Sequence, residues 1–347
     1  MTDLVHLSAA ALPDDERFLQ LARDVYRDDP GWAPDSEQVI NSRSAEAAEG
    51  LIHLDAVVAM RGARPVARAA AIVQPAATDP CGQPEGWVGL VECLPDALDD
   101  GVAAVRDRCL RLQERGFPSI AAPRTDPLYG GVIVDGFDEP QIVLTPHNPP
   151  HYPVLLSAAG FTPETHLVSY RFDRAHAPSI HVPAGVGVTV RSIDADDWHR
   201  ELGRLHAFQE AVFAGRRARV SRRPSQTAAL VERLRPMIDP DLVLLAEDPE
   251  GSIVGVVVCL PDTWQRRPHG LTPTRARLMS IGVRRGWRGR GAAVAMAAEL
   301  TTRLLDRGYT SLEASWIQQD NTAPQRLAHA MHGTPSRRAA IYRHRSS

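Results

Sequence analysis

Lysine is missing from this 347-residue chain, so all 39 basic residues are arginines, although lysine is normally among the commonest residues. No run of eighteen apolar residues occurs, and the N-terminus (MTDLVHLSAAALPDDER) lacks the basic-then-apolar pattern of a secretory signal. Neither a membrane span nor a signal peptide is therefore expected. The four cysteines, Cys81, Cys93, Cys109 and Cys259, have no Cys-x-x-Cys spacing. They read as free thiols in a reducing cytoplasm, and no metal site is expected. A dominant charge is also lacking: the formal net charge is −3 and the pI about 6.5, so no global basic field advertises nucleic acid. The length allows two ordinary domains, and the 44% hydrophobic content is that of a globular chain.

What the chain does have is concentrated in Leu278 to Ala293, LMSIGVRRGWRGRGAA. Leu278, Met279, Ile281 and Val283 form an apolar run of strand length. Gly286, Gly289 and Gly291 punctuate a basic turn, and Ala292 to Leu305 then reads as a helix free of Pro and Gly. The first amides of a helix have no intrahelical partners and sit at the positive end of its dipole. Glycines let a bulky anion approach the backbone, so such a turn suits phosphates. The glycines are not spaced as in the dinucleotide fingerprint, and no Gly-Lys-Ser/Thr is present, so neither nucleotide motif applies.

Arg288-Gly289-Arg290-Gly291-Ala292-Ala293 resembles the pyrophosphate loop of GNAT acyltransferases, Gln/Arg-x-x-Gly-x-Gly/Ala, with its strand before and its helix after. The resemblance implies acetyl-CoA or another acyl-CoA as co-substrate, its pyrophosphate on the loop amides. It implies a preceding strand that splays from its neighbour and holds the pantetheine arm. It also implies that backbone amides on Ile281, Gly282 and Val283 polarise the thioester carbonyl. Asn321 matches an Asn that contacts the CoA arm in many members; an N-cap role is compatible with that. The family's usual general acid is a Tyr seven residues further on, and here that position is Ala328.

The order of expected elements repeats. Arg115-Gly116-Phe117-Pro118-Ser119-Ile120 matches Arg307-Gly308-Tyr309-Thr310-Ser311-Leu312. Gly160-Phe161-Thr162-Pro163 followed by Tyr170-Arg171 matches Gly333-Thr334-Pro335 followed by Tyr342-Arg343. Such matches in one order argue for a duplicated α/β unit. The expected fold is therefore a mixed-sheet α/β (α+β) architecture of two tandem GNAT-like domains, the first lacking the pyrophosphate loop. Residues 1–174 form the degenerate domain, 175–187 a linker rich in Pro, Gly and Ala, and 188–347 the domain with the acyl-CoA site. At the first domain's matching turn, Cys93-Leu94-Pro95-Asp96-Ala97-Leu98-Asp99-Asp100, three aspartates and no glycine pair would repel pyrophosphate. The whole chain also resembles tandem GNAT-like bacterial proteins of poorly defined function. The residues that carry this are Asp29-Pro30-Gly31-Trp32-Ala33-Pro34, Gly130 through Asp138, Asn148-Pro149-Pro150-His151-Tyr152, Leu260-Pro261-Asp262 and Trp316 through Asn321.

Acyl transfer needs an amine that loses a proton, a polarised carbonyl and a thiolate able to leave. Tyr342 and His329 stand as substitutes for the missing acid, and a thiolate also leaves unaided because a thiol is a far stronger acid than an alcohol or a neutral amine. Glu313, on the strand beside the motif strand, faces the side opposite Leu312 and Ala314; it is either a base acting through water or part of a solvated face. Asp135, Asp138 and His147 belong to a long irregular stretch that either covers the acceptor or is structural. Arg216, Arg217, Arg219, Arg222 and Arg223 form a basic run where this fold commonly walls its acceptor site. The reading is a cytoplasmic acyl-CoA-dependent N-acyltransferase, acetyl or longer, acting by direct transfer on a small-molecule amine, as a monomer or homodimer. The alternatives are an aminoacyl-tRNA-dependent transferase, with tRNA as the one nucleic-acid partner, and a non-catalytic CoA-binding sensor or interaction module. The absent lysines reflect either GC-rich coding or a surface that escapes self-acylation.

Overall fold

Two similar runs of strands organise the chain, in a computed structural model that describes residues 2–33, 36–75, 77–125, 130–213, 231–232, 234–265 and 272–345. The arginine run at 216–223 and most of Ser225 to Leu234, whose sequence predicts a helix, lie outside the described residues. The described residues fall into two compact units, 2–167 with 337–345, and 168–336. The units are thus not contiguous stretches.

The first unit orders its sheet β1 (Asp3–Ser8), β2 (His53–Arg61), β3 (Arg64–Val73), β4 (Glu85–Cys93), β5 (Ser119–Ala122). Neighbours are antiparallel except β4 and β5, which are parallel. Beyond β5 the sheet accepts Arg338–Arg345 of the last strand, β13 (Thr334–Arg345), which also pairs with β6 (Val132–Asp135). Strand β6 lies in the stretch expected to be irregular, and β13 is longer than the apolar run Ala339–Tyr342, which by itself predicts a short final strand. Both corrections have one cause. Ladder partners distant in sequence hold the polar ends of β13 and the four-residue Val132–Asp135, and local composition reveals neither pairing.

The hairpin of β2 and β3 turns at Gly62, whose φ of +61° is left-handed. Alternate residues of β2 pack on opposite faces. Val57 and Ala59 meet α3 (Leu98–Glu114) through Val105, Cys109 and Leu112, while Ala56, Val58 and Met60 join Phe18 of α1 (Glu16–Val25) and Ile40 of α2 (Ser36–Ala48). A sheet covered on both faces explains why these strands read as continuous apolar runs. Helix α2 has almost no apolar periodicity and was not expected; its position comes from Ile40 entering the core. Helix α4 (Tyr152–Ala158) closes the α3 side, and β7 (Thr162–Asp173) follows it.

The second unit repeats the order: β8 (Thr189–Ser192), β9 (Val243–Glu247), β10 (Ile253–Pro261), β11 (Arg275–Val283), β12 (Ser311–Gln318), then residues 168–173 of β7. Again the pairs are antiparallel until the last, β11 with β12, which is parallel. Helix α5 (Trp198–Phe213) covers one face through Trp198, Leu202 and Phe208; α6 (Ala292–Asp306) covers the other through Met296, Leu300 and Leu304. Helix α7 (Thr322–Ala330) follows β12. The shared order, polarity and placing of the parallel pair make this a tandem repeat of one mixed α/β unit. No helix among the described residues is long and apolar enough to cross a membrane.

Candidate functional site

The motif stretch folds as strand, short 3-10 turn at Arg285–Trp287, and helix α6. Gly289 and Gly291 have φ of +75° and +92°, a region that side chains with a Cβ rarely adopt. Gly291 is the N-cap of α6 and offers no side chain to it, so the amides of the first helical turn remain for an external acceptor. Arg288 and Arg290 flank the turn and are exposed. The Nε of Arg288 donates to the Val283 carbonyl at 3.2 Å, and the Arg290 guanidinium lies 5.6 Å from the Trp287 ring. An N-terminal helix dipole, bare amides and clustered arginines together make an anion seat.

Strands β11 and β12 pair only from Arg275–Ser311 to Leu278–Ala314. Past that point they part, and each presents an unpaired edge of N–H and C=O groups. A cavity of about 870 Å³ fills the gap and continues along α6. Of the expected site residues, Ile281, Gly282, Val283, Arg288, Gly289, Gly291, Ala292, Ala293 and Asn321 line it. Arg290 does not; its side chain turns to Trp287. Asn321 holds the N-cap position of α7 but makes no capping hydrogen bond, which leaves its amide to the cavity.

The cavity reaches Leu304 and Leu305 at the far end of α6, and Leu312, Leu327 and Met331 complete an apolar wall with them. In sequence these residues read as ordinary core, because a helix stripe facing an empty groove has the same period as one facing a packed sheet. Ala328, in the position of the family's tyrosine, also borders the space.

The three catalytic candidates separate. Tyr342 is 5% exposed within the first unit's core, in register with Ala122, and outside the cavity lining. Burial raises its phenol pKa, with a hydrogen bond to Ser157 acting the other way. The structure withdraws it as the acid, because the ladder with β5 fixes it in that core. Tyr342→Phe is expected to leave kcat within about twofold, as most changes distant from the reacting groups do; a tenfold loss in a steady-state assay would contradict this placement. His329 is exposed on α7, with its ring edge-on to Tyr170 at 5.2 Å, and also lies outside the lining. Glu313 faces away from the cavity, between Leu312 and Ala314, which line it. That face is not solvated: Glu313 is 9% exposed and in register with buried Arg277, whose Nε donates to Ser315 Oγ at 3.1 Å. Asp135 and Asp138 lie by β6 in the first unit, and His147 pairs there with Asp29.

The first unit's counterpart turn is filled. The buried carboxylate of Asp100 sits in the first turn of α3, hydrogen-bonded by Thr2 Oγ1 at 2.6 Å and paired with Arg61 at 2.5 Å. The Cys93 thiol donates to the Leu94 and Ala97 carbonyls, and burial pushes its pKa up to about 12. The first turn of α3 thus carries a buried carboxylate where the first turn of α6 carries none.

The family model described as "Acetyltransferase (GNAT) family" matches residues 211–333. Over 363 aligned positions the chain is 24% identical to a bacterial ceramide synthase of Caulobacter vibrioides, covering 94% of each protein. A GCN5-related N-acetyltransferase from Sphaerobacter thermophilus is similar in structure at a TM-score of 0.60 and 19% identity, covering 99% of this chain and 95% of that one. A tandem GNAT protein from the clavulanic acid biosynthesis pathway is similar at 0.62 and 14%, covering 100% and 99%.

Proposed function

We propose that this chain, a GNAT-type acyltransferase by the domain at residues 211–333, moves an acyl group from an acyl-CoA directly onto an amine. The observation that carries the reading is one cavity joining the parted strands β11 and β12 to the bare amides at the start of α6. Pyrophosphate on Gly289–Ala293 would send the pantetheine arm into that gap. Backbone amides of Ile281–Val283 would then polarise the thioester carbonyl. The amine attacks the carbonyl carbon, the new C–N bond forms, the C–S bond breaks and CoA leaves as thiolate. A thiolate needs no acid to depart near neutral pH, so Ala328 in place of a tyrosine does not prevent the reaction. The amine's proton passes to water, or the amine enters already neutral, because Glu313, the carboxylate of the strand beside the gap, faces away from it.

The apolar wall supports an acyl group longer than acetyl, or an acceptor with an aliphatic tail. Ala328 adds to that room where a tyrosine ring would take it. The Caulobacter relative's name points the same way, since a ceramide is the amide of a long-chain amino alcohol with a fatty acid. Acetyl-, octanoyl- and palmitoyl-CoA, offered with dodecylamine or ethanolamine and followed by thiol release, test the reading. kcat/KM is expected to rise at least tenfold from acetyl to octanoyl. That requires only ~1.4 kcal/mol, less than burial of two methylenes at about 0.8 kcal/mol each. A preference for acetyl would overturn the long-chain assignment. Binding of every thioester without release of CoA would instead favour the second reading that Ala328 suggests, a non-catalytic acyl-CoA-binding module.

A further inference from the structure

Three of the stretches that carry the resemblance to tandem GNAT-like proteins, at 29–34, 130–138 and 148–152, play no part in the acyl-transfer site. In the first unit they converge on one partly open cavity of about 80 Å³. It lies where β4 and β5 part. Their pairing covers only Glu85–Trp87 with Ser119–Ala121, after which Leu90 takes a left-handed φ of +51°. Leu90 and Glu92 line one side of the cavity, Pro123 and Thr125 the other. The cavity is therefore the first unit's counterpart of the β11–β12 gap, with a different lining.

That lining is a carboxylate beside aromatic rings. Tyr26 and Trp32 stack at 5.0 Å with planes 16° apart. Glu92 accepts from the Tyr152 hydroxyl at 2.7 Å and stands 3.6 Å from Arg68. Several donors around the space are committed. The Tyr152 hydroxyl donates to Glu92, the Tyr26 hydroxyl to the His147 carbonyl at 2.9 Å, and the Asn148 amide to the carbonyls of Ile133 and Pro149. Arg68 donates to the Phe18 carbonyl and lies over the Phe18 ring, 1% exposed. Acceptor capacity remains, because a carboxylate offers about four lone-pair sites and Glu92 uses fewer. A ligand for such a space brings donors and positive charge, and ring faces attract cations.

We propose that the first unit binds a small primary ammonium compound, with Glu92 as its counter-ion and the Tyr26–Trp32 pair as its wall. The volume suits about six water-sized groups, enough for an amine of four or five heavy atoms. The site does not depend on the acyl-transfer reading, and its test needs no acyl-CoA.

Calorimetry on the full chain at pH 7.5, with ethanolamine and n-propylamine as probes and sodium acetate as the anion control, decides it. One ammonium site per chain is expected. Glu92→Gln should weaken it at least tenfold without moving the ligand-free melting temperature by more than about two degrees, because Gln still accepts from Tyr152. Trp32→Leu should weaken it as well, and carries the test alone if Glu92→Gln does not fold. No heat from either amine, undiminished binding by both variants, or acetate bound instead of the amines would each overturn the proposal.

Discussion

Gly291→Asp is expected to weaken acyl-CoA binding at least a hundredfold. Three effects add. The backbone at this residue has φ +92°, so any Cβ there is strained, at about 1–2 kcal/mol. A Cβ would also stand 3.0 Å from Val186 Cγ2, in the segment packed over the loop. Above all, a carboxylate would take the bare amides of the first turn of α6 and meet the pyrophosphate with like charge, a juxtaposition that costs several kcal/mol. A hundredfold loss asks for ~2.8 kcal/mol. Thermal shift with acetyl-CoA and palmitoyl-CoA checks it, since a ligand of the native state raises the melting temperature. The ligand-free melting temperature separates lost binding from lost structure. An unchanged ligand shift in a folded variant would put the CoA elsewhere.

Arg343→Ala should lower the melting temperature of the first unit by roughly 6–20 °C. Arg343 is 4% exposed, donates to Glu85 Oε2 at 2.6 Å and Ser119 Oγ at 2.7 Å, and also pairs with Glu164. Glu85 is 1% exposed and would keep only Arg124, at 3.1 Å, and the Trp87 indole, at 2.5 Å. Removing one partner of a buried ion pair costs about 3–5 kcal/mol, and a unit of this size shifts by about 2–4 °C per kcal/mol. Arg343→Lys should restore part of the loss through charge but not the forked hydrogen bonds. Differential scanning calorimetry provides the measurement; a drop of under two degrees in Arg343→Ala would mean that the strand at 337–345 does not hold the first unit together.

The glycine-rich turn before α6 was legible because it is local. Its glycines, its flanking strand and its helix are consecutive, and the left-handed φ values at Gly289 and Gly291 are what glycine there permits. The repeat was legible for a related reason: Arg115-Gly116-Phe117 and Arg307-Gly308-Tyr309 mark the same helix-to-strand corner, and both glycines adopt positive φ. From the sequence alone follow the tandem order of elements, the glycine-rich turn in one copy and the acidic turn in the other. The partners of those elements were decided by the tertiary structure. Tyr342 lies in the first unit because Arg338–Arg345 pairs with β5 and β6, a ladder across more than two hundred residues that no local pattern encodes. Glu313 is buried because Arg277 stands beside it on a neighbouring strand. The apolar groove along α6 exists because β11 and β12 stop pairing at Leu278 and Ala314, so residues patterned like a core face a space instead of a neighbour.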